Sequence, residues 1–406
     1  MAPAFNKEQV GDYVYLDYAA TTPLCREAAE AMADYLVPGP ANLGVNANAN
    51  SLHSPGRAAF SAMEQARRQI SRALGARRAQ EIVFTSGATE ADDAALLGIA
   101  QAAVTARRRA GSGDFTPRVI VSQMEHEAVL QPARRLEQLG YEVVRLAPNR
   151  SGFISVEALE RALTPQTVLV SVQMANSEVG SVQPVAQLCR AAHDAGALFH
   201  TDAVQALGKV PVNLQELDVD AASFSAHKIC GPKGVGALYL RARTPFDPFM
   251  LGGGQEAGLR SGTQNVMGMV AFAAAVQMAV GDQEAESARL CLMRDDLYQR
   301  LSQIHGVRPT VEVAPGSTDY LPNIVHVLVK GMESETLILR LDARGFGVSG
   351  GSACSSSSLE PSHVLTSMGV SGDAARGALR VSMGKYTTEQ DLGAFCDALE
   401  RCVKGK

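Results

Sequence analysis

Hydrophobic and polar positions along the chain follow two different patterns. Between about residues 60 and 240, short apolar runs of strand length are separated by longer segments in which apolar residues recur with helical spacing. This alternation predicts an α/β fold in which helices cover a mostly parallel sheet. The predicted helices are 61–74, 89–108, 127–139 and 185–195. The predicted strands are 81–87, 118–123, 168–176, 197–204, 220–227 and 236–240.

The pattern changes after residue 264. Long helices are predicted over about 266–304 with a break, followed by a strand near 323–329. A segment rich in glycine and serine comes next, and a closing helix is predicted after Thr388. We therefore predict a second, smaller domain, and the chain contains no evident internal repeat.

Polar residues follow several of the predicted strands. Ligands of parallel α/β sheets bind outside the carboxyl ends of the strands. After the first strand, Ser86-Gly87-Ala88-Thr89 turns into a helix, so backbone N–H groups and the Thr89 hydroxyl are placed to bind a phosphate. The same segment is equally consistent with a helix cap in which Ser86 or Thr89 is the N-cap. The segment alone does not decide between the two functions.

Two further strand ends carry reactive groups. Asp202 closes an apolar strand, where a carboxylate needs a cationic partner, although Asp202 and Gln205 also have the spacing of a local capping box. Lys228 follows a strand of small and apolar residues, with Ser225 and His227 beside it. Burial would make its amine nucleophilic, and a solvent-facing lysine is the alternative. Together, an amine, an acid and a phosphate cradle predict a pyridoxal phosphate site.

One cysteine stands in a segment with almost no apolar area. The run SGGSACSSSS at 349–358 surrounds Cys354 with serine and glycine, which predicts a surface loop. A thiol on such a tether can reach more than one reaction partner. An incidental exposed thiol is the alternative when the loop is considered by itself.

Composition narrows the class of protein. The 406 residues are 46% hydrophobic with a net charge of −5, and no basic stripe interleaved with aromatic residues is present, so we predict no nucleic-acid partner. The N-terminus is charged where a signal peptide would be apolar, and the longest apolar run, 266–276, is too short to span a bilayer, so no membrane partner is predicted either. Seven cysteines without a CxxC pair favour reduced thiols in the cytoplasm over disulfides or a zinc site.

Several segments closely resemble the cysteine desulfurases of the NifS/IscS type. They are LDYAATTPL (16–24), SLHSPGRAA (51–59), FTSGATEA (84–91), EHEAVL (125–130), SFSAHKICGPKG (223–234), GGGQEAGLRSGTQN (252–265) and SGGSACSSSSLEPSHVL (349–365). The resemblance implies a pyridoxal-phosphate enzyme of fold type I in the class V aminotransferase group. It implies a large domain, 25–264, with a mostly parallel seven-stranded sheet. A smaller α+β domain, 265–406, joined by the N-terminal segment 1–24, would carry the Cys354 loop.

The resemblance also implies a role for each site residue. Lys228 would hold the cofactor as a Schiff base and move the substrate Cα proton, while His126 would stack on the cofactor ring. Arg380 and Asn176 would hold the substrate carboxylate, and Asn176 would also contact the cofactor. The other cofactor-binding residues would be Asp202 at the pyridine nitrogen, Gln205 at the ring hydroxyl, Thr89, Ser225 and His227 at the phosphate, Ala88, and Thr263 from the other subunit of a homodimer.

The implied reaction removes sulfur from L-cysteine. Cys354 would take the sulfur as a persulfide, leave L-alanine, and pass the sulfur to an acceptor such as an iron-sulfur scaffold protein. No resident metal is implied, and it is left open whether Cys354 transiently ligates an iron-sulfur cluster. The alternative is selenocysteine or cysteine-sulfinate cleavage, or another reaction of class V enzymes.

The chain departs from the family pattern at a few positions. Asp92 and Asp93 stand where the family usually has asparagines, Cys230 stands where tyrosine is commoner, and 104–117 looks like an insertion. These departures bear on the sulfur acceptor and on fine specificity. The residues with an implied chemical role are all present.

Overall fold

A computed structural model describes residues 13–351 and 361–405 of the protein. Its strands are β1 Val14–Tyr15, β2 Ile82–Thr85, β3 Arg118–Ser122, β4 Glu142–Leu146, β5 Thr167–Ser171, β6 Leu198–Asp202, β7 Ala221–Ser225, β8 Gly236–Leu240, β9 Val307–Pro309, β10 Ile324–Val329, β11 Phe346–Gly347 and β12 Ala378–Ser382. Its α-helices are α1 Arg26–Ala33, α2 Ser54–Ala73, α3 Ala88–Asp93, α4 Ala100–Arg109, α5 Glu127–Gln138, α6 Val156–Ala162, α7 Val185–Asp194, α8 Leu214–Leu217, α9 Val266–Gly281, α10 Gln283–Ser302, α11 Ser334–Asp342, α12 His363–Ser367, α13 Gly372–Ala375 and α14 Glu389–Val403.

The larger sheet has seven strands in the order β2-β8-β7-β6-β5-β3-β4. Only β8 runs antiparallel to its neighbours, so the carboxyl ends of the other strands lie at one edge. Strand β5 is buried at every position, as is typical of a parallel strand covered on both faces. The predicted α/β fold with a mostly parallel seven-stranded sheet is confirmed.

The hydrophobic pattern located every strand of this sheet except β4. This strand lies at the sheet edge, and only Leu146 is fully buried. Glu142 and Arg145 interrupt its apolar run, and Glu142 forms an ion pair with Arg118 of β3 at 2.8 Å. An edge strand with charged, half-exposed positions lacks the continuous apolar run that identifies the central strands.

One long helical run starts at the carboxyl end of β2. Helix α3 continues through a π-helical turn at Ala94–Ile99 into α4, so the run extends from Ala88 to Arg109. This agrees with the helix predicted over 89–108. The N-terminus of the run therefore lies at the sheet edge where α/β proteins bind ligands.

A smaller antiparallel sheet has the order β12-β10-β9. Side chains from α10, α11 and α14 form a separate core on it, which includes Leu297, Leu337, Val381 and Phe395. Strand β1 pairs in parallel with β11, and Leu16 belongs to the same core. The N-terminal segment is thereby attached to the smaller sheet.

Helix α9 packs against α1 and α2, and its Phe272 lies in the core beneath the large sheet. Helix α10 follows after a bend of 65° and packs in the smaller core. The predicted domain boundary between residues 264 and 265 stays a prediction. Helix α9, which follows this boundary, packs in the larger core, and α10 packs in the smaller core. Within 13–351 and 361–405, no single helix is long and apolar enough to cross a membrane, and only α9 and α10 meet that criterion together, as a bent pair.

Candidate functional site

A cavity of about 460 Å³ opens between the edge of the large sheet and the smaller sheet. Most of its lining comes from strand ends and helix starts of the large sheet, whereas Arg380 comes from β12. The predicted site residues that line it are Ala88, Thr89, His126, Asp202, Gln205, Ser225, His227, Lys228 and Arg380. The structure therefore brings together residues that the sequence places on separate strands.

Lys228 lies on a short 3-10 turn, Ala226–Lys228, directly after β7. Its Nζ donates hydrogen bonds to the carbonyl oxygens of Ala19 at 2.6 Å and Ala20 at 2.8 Å. From the other side, the Lys209 Nζ donates to the Lys228 carbonyl oxygen at 2.9 Å. Burial, and next the nearby Lys228, lowers the pKa of Lys209 to about 8. The Lys228 amine is thus held at the cavity wall rather than extended into solvent.

Asp202 and Gln205 make no local capping box. The Asp202 Oδ1 accepts the Val204 N–H at 2.9 Å, and burial raises the pKa of Asp202 against the opposing effects of this N–H and of His126. The Gln205 Nε2 donates to the Ala19 carbonyl oxygen at 2.9 Å. Its Oε1 is buried and has no hydrogen-bond partner among the described residues. A buried acid and an unsatisfied acceptor therefore lie three residues apart in the sequence, and both line the cavity, where a ring with a cationic N–H and a hydroxyl would satisfy both.

The N-terminus of the helical run that begins at Ala88 forms another part of the cavity wall. Gly87 is the N-cap, and no side chain caps the first turn, so neither Ser86 nor Thr89 has the capping function considered above. Uncapped N–H groups at the start of a helix bind phosphate through their dipoles and hydrogen bonds. Glu90 in this turn is neutralised by Arg260, with an Nε–Oε1 distance of 2.7 Å.

Two histidines line the cavity, and burial lowers the pKa of both. For His227 the pKa falls to about 4, with Lys228 as the next cause. His126 is the N-cap of α5, and its Nδ1 accepts the Ala128 N–H at 3.1 Å. Burial lowers the pKa of His126 although Asp202 acts in the opposite direction. At neutral pH both rings are uncharged, so they offer aromatic faces and neutral nitrogens to a ligand.

For two buried carboxyl groups near the cavity, we predicted no chemical role from the sequence. Asp92 lines the cavity, is 1% exposed, and its Oδ1 lies 3.6 Å from the His200 Nε2. Burial, followed by repulsion from Asp202, raises the pKa of Asp92 well above its ordinary value. Glu125 is fully buried after β3, and its Oε1 accepts the Ser122 hydroxyl at 2.5 Å. Burial raises the pKa of Glu125 to about 8.

Arg380 is 1% exposed and belongs to the central part of β12. Its Nη2 lies 2.7 Å from the Asp17 Oδ1, and its Nη1 donates to the Ser177 carbonyl oxygen at 2.9 Å. The Nε is buried and has no hydrogen-bond partner within the described ranges. A guanidinium with an unused donor at a cavity wall is suited to a carboxylate.

The Asn176 side chain is used within its own turn. Its Oδ1 accepts the N–H groups two and three residues later, both at 2.9 Å, and its Nδ2 donates to the Met124 carbonyl oxygen at 3.2 Å. The adjacent Ala175 and Ser177 line the cavity, and Asn176 is not part of this lining. Its contacts with substrate and cofactor stay a prediction.

Two further site residues were predicted. Thr263 is exposed and does not line the cavity of the single chain. Cys354 lies outside the described residues, and its role stays a prediction. In the part of the chain that the structure describes, no cluster of three or more His, Cys, Asp or Glu side chains has the geometry of a metal site.

Comparisons with known proteins agree with this geometry. A family model described as aminotransferase class-V matches residues 14–395. The cysteine desulfurase IscS of Dictyoglomus turgidum is 42% identical over 395 residues, which cover 96% of this chain and 94% of the relative. A solved NifS-like protein superimposes with a TM-score of 0.86 and 34% identity, covering 97% of this chain and 100% of that chain. The structure of SspA in complex with cysteine has a TM-score of 0.76 and 31% identity, covering 92% of this chain and 100% of that chain.

These similarities extend over nearly the whole chain and include both sheets. They confirm the predicted resemblance, the predicted fold type and the predicted cofactor, pyridoxal phosphate. The vacant acceptor of Gln205, the buried Asp202 and the uncapped helix start at Ala88 fit that cofactor independently. The chain belongs to the aminotransferase class-V family.

Proposed function

We propose that this protein is a cysteine desulfurase, which removes sulfur from L-cysteine and releases L-alanine. The observation that carries the proposal is the cavity in which the Lys228 amine, the Asp202 carboxyl and the Arg380 guanidinium meet. The full-length similarity to cysteine desulfurases, and to a protein solved in complex with cysteine, supports the choice of substrate.

Several described residues fit pyridoxal phosphate. Lys228 would hold the aldehyde carbon, Asp202 the pyridine nitrogen and Gln205 the ring hydroxyl. The helix start at Ala88 and Thr89, together with Ser225 and His227, would hold the phosphate, and His126 would cover the ring. When bound, the cofactor supplies an electron sink that makes the Cα proton of an amino acid acidic.

The chain's own residues would orient the amino acid and move its proton. Arg380 would bind the carboxylate, because a guanidinium fork pairs with two carboxylate oxygens and so fixes the direction of the Cα–H bond. The Lys228 amine, which lies at the cavity wall, would accept this proton and return it. His126 and His227 are uncharged at neutral pH, so they do not compete with Arg380 for the substrate carboxylate.

Cys354 would be the sulfur acceptor. Its thiolate would attack the substrate sulfur, so that an S–S bond forms while the Cβ–S bond of the substrate breaks. The Cβ carbon keeps the electron pair of the broken bond and takes up a proton, so that L-cysteine and the enzyme thiol become L-alanine and an enzyme persulfide. We also propose that the persulfide sulfur passes to an acceptor protein such as an iron-sulfur scaffold in the cytoplasm.

We further propose a homodimer in which Thr263 completes the partner's site. Leu52 and Leu251 are 89% and 79% exposed, which is costly for apolar side chains on a free surface. Both lie close to the segment that carries Thr263, because Asn50 bonds to Gln264 at 3.0 Å and the backbone of residue 261 bonds to that of residue 250. A second copy of the chain on this surface would cover them.

The test of the activity is sulfide and alanine production from L-cysteine in the presence of a reductant. We expect Cys354→Ala to lower sulfide release at least about hundredfold while the absorbance of the bound cofactor is unchanged. Cys291→Ala, which changes a partly exposed thiol that does not line the cavity, is the matched control and should keep full activity.

The alternatives give different results in the same assay. Cysteine-sulfinate or selenocysteine cleavage needs no protein thiol, so activity on those substrates that persists in Cys354→Ala would identify that reaction. Full sulfide release by Cys354→Ala from L-cysteine would contradict the proposed nucleophile.

A further inference from the structure

The guanidinium of Arg380 is held from two sides. Asp17 accepts from its Nη2 at 2.7 Å, and the Ser177 carbonyl oxygen accepts from its Nη1 at 2.9 Å. The Nε is the donor left without a partner among the described residues. Because the guanidinium is planar, two fixed nitrogens determine the direction of the third.

Asp17 is itself held by the backbone of the smaller sheet. It forms a bridge with Ser382, two residues beyond Arg380 on β12, and the Tyr15 hydroxyl donates to its carbonyl oxygen at 2.9 Å. The N–H of Tyr18 donates to the Ser382 carbonyl oxygen at 3.2 Å. The position of the Asp17 carboxylate is therefore set by main-chain contacts on both sides of it.

Asp17 does not line the cavity, whereas Arg380 does. Its carboxylate therefore makes no direct contact with a ligand in the cavity, and Arg380 lies between the two. A buried arginine also needs a nearby anion, because an unpaired guanidinium in a poorly solvated place is costly. When no amino acid is bound, Asp17 supplies that anion.

We propose that Asp17 is a positioning residue, which holds the Arg380 guanidinium at the cavity wall in the orientation that binds the carboxylate of the amino acid substrate. This inference rests on the proposed function, since it assumes that the substrate carboxylate binds Arg380. It adds a residue of the N-terminal segment to the determinants of substrate affinity. Hydrogen bonding by Asp17, more than its charge, sets the orientation.

The main chain of Arg380 is bonded to a residue that precedes the proposed nucleophile in the sequence. The Arg380 N–H donates to the Ser349 carbonyl oxygen at 2.6 Å, and the Ser349 N–H donates to the Arg380 carbonyl oxygen at 3.3 Å. Ser349 precedes Cys354 by a few residues in the sequence. Asp17, Arg380 and Ser349 are consequently joined by direct hydrogen bonds.

The experiment is a titration of the holoenzyme with L-alanine, followed by the absorbance of the bound cofactor. We expect Asp17→Ala to raise the dissociation constant for L-alanine about tenfold, because a hydrogen bond between charged groups that orients the binding donor is lost. Asp17→Asn keeps an oxygen acceptor in the same place and should remain within about threefold of wild type. The cofactor absorbance before titration should be the same in all three proteins.

L-alaninamide, which lacks the carboxylate, is the matched ligand. Its dissociation constant should be equal in wild type and Asp17→Ala, because its binding does not use Arg380. In the desulfurase assay, Asp17→Ala should raise KM for L-cysteine about tenfold with kcat changed less than about twofold.

An unchanged dissociation constant for L-alanine in Asp17→Ala would overturn the inference. So would an equal loss in Asp17→Asn and Asp17→Ala, because asparagine keeps the oxygen acceptor to which the inference assigns the effect. A wild-type protein whose cofactor absorbance responds to neither ligand would instead contradict the proposed function. Asp17→Ser, whose side chain is too short to accept from the Arg380 Nη2, should raise the dissociation constant for L-alanine as Asp17→Ala does, and it keeps the test decisive if Asp17→Ala folds poorly.

Discussion

Two groups of buried charges in the large domain differ in how completely they are satisfied. In the first, Arg67 and Glu256 form two hydrogen bonds, at 2.7 and 2.8 Å, and Glu256 also accepts the Phe84 N–H at 3.0 Å. The Arg67 guanidinium lies 5.0 Å from the centre of the Phe84 ring and donates to Glu64 as well. Every charge in this group has its partner within the chain.

The second group consists of Asp202 and Asp92, which line the cavity, and of Glu125, which is buried near Asp202. An oxygen of Asp92 and one of Glu125 have no hydrogen-bond partner in the described part of the chain, and burial raises the pKa of all three carboxyl groups. Buried polar groups are normally hydrogen-bonded, as Arg67 and Glu256 are. Buried carboxyl oxygens without a partner cost stability, which favours a functional role for the second group. We therefore assign a stabilising role to the Arg67–Glu256 group and a functional role to the carboxyl groups near the cavity.

Glu256→Ala should give the largest change in stability. It leaves the Arg67 guanidinium buried without its anion, so we expect the free energy of unfolding to fall by about 3–5 kcal/mol, measured by chemical denaturation. The exposed pair Arg26–Glu30 is the control, and Glu30→Ala should leave the denaturation midpoint unchanged. A loss below about 1 kcal/mol in Glu256→Ala would mean that the pair contributes little to the fold.

Asp202→Asn should affect function and stability in opposite directions. The amide retains the acceptor for the Val204 N–H but cannot pair with a cationic pyridine nitrogen. We expect the affinity for pyridoxal phosphate to fall at least about tenfold, measured by fluorescence titration of the cofactor-free protein. The free energy of unfolding of the cofactor-free protein should stay level or rise by about 1 kcal/mol, since a buried acid has been removed. A clear loss of stability would assign Asp202 a structural role.

Glu125→Gln should change how stability depends on pH. The pKa of Glu125 is raised in the folded protein to about 8 from an ordinary value near 4.5. Between these values the folded state binds a proton that the unfolded state has released, so stability falls as the pH rises through this window. We expect this fall to be smaller in Glu125→Gln when unfolding free energies are compared at pH 5 and pH 8. Identical pH profiles would show that Glu125 is not protonated in the folded state.

Much of the site could be predicted because its residues follow strands that are easy to recognise. Asp202 and Lys228 end continuous apolar runs, and parallel strands bring such ends to one edge of the sheet. Asp92 was missed as a site residue although it follows Thr89 by one helical turn, a spacing that places both on one face. Asp17 carried no local signal, because its partner Arg380 is distant in sequence.

The alternatives left open by local patterns were decided by contacts between distant parts of the chain. The Asp202–Gln205 spacing fits a capping box, but the Gln205 amide bonds to Ala19 from the N-terminal segment. The Ser86–Thr89 turn fits a capped helix, but no side chain caps it. Local spacing is compatible with both outcomes because the competing hydrogen bonds have similar energies.

The amino-acid sequence by itself determined most strands and several helices of the large domain, the mostly parallel character of its sheet and the identity of many groups at its carboxyl edge. These features follow from apolar periodicity and residue chemistry, which act over a few neighbouring positions. Only the tertiary structure decided which donors and acceptors remain unpaired at the cavity, and that Asp17 holds Arg380. Whether a buried polar atom is satisfied depends on every segment packed around it, and those segments are brought together only when the chain folds.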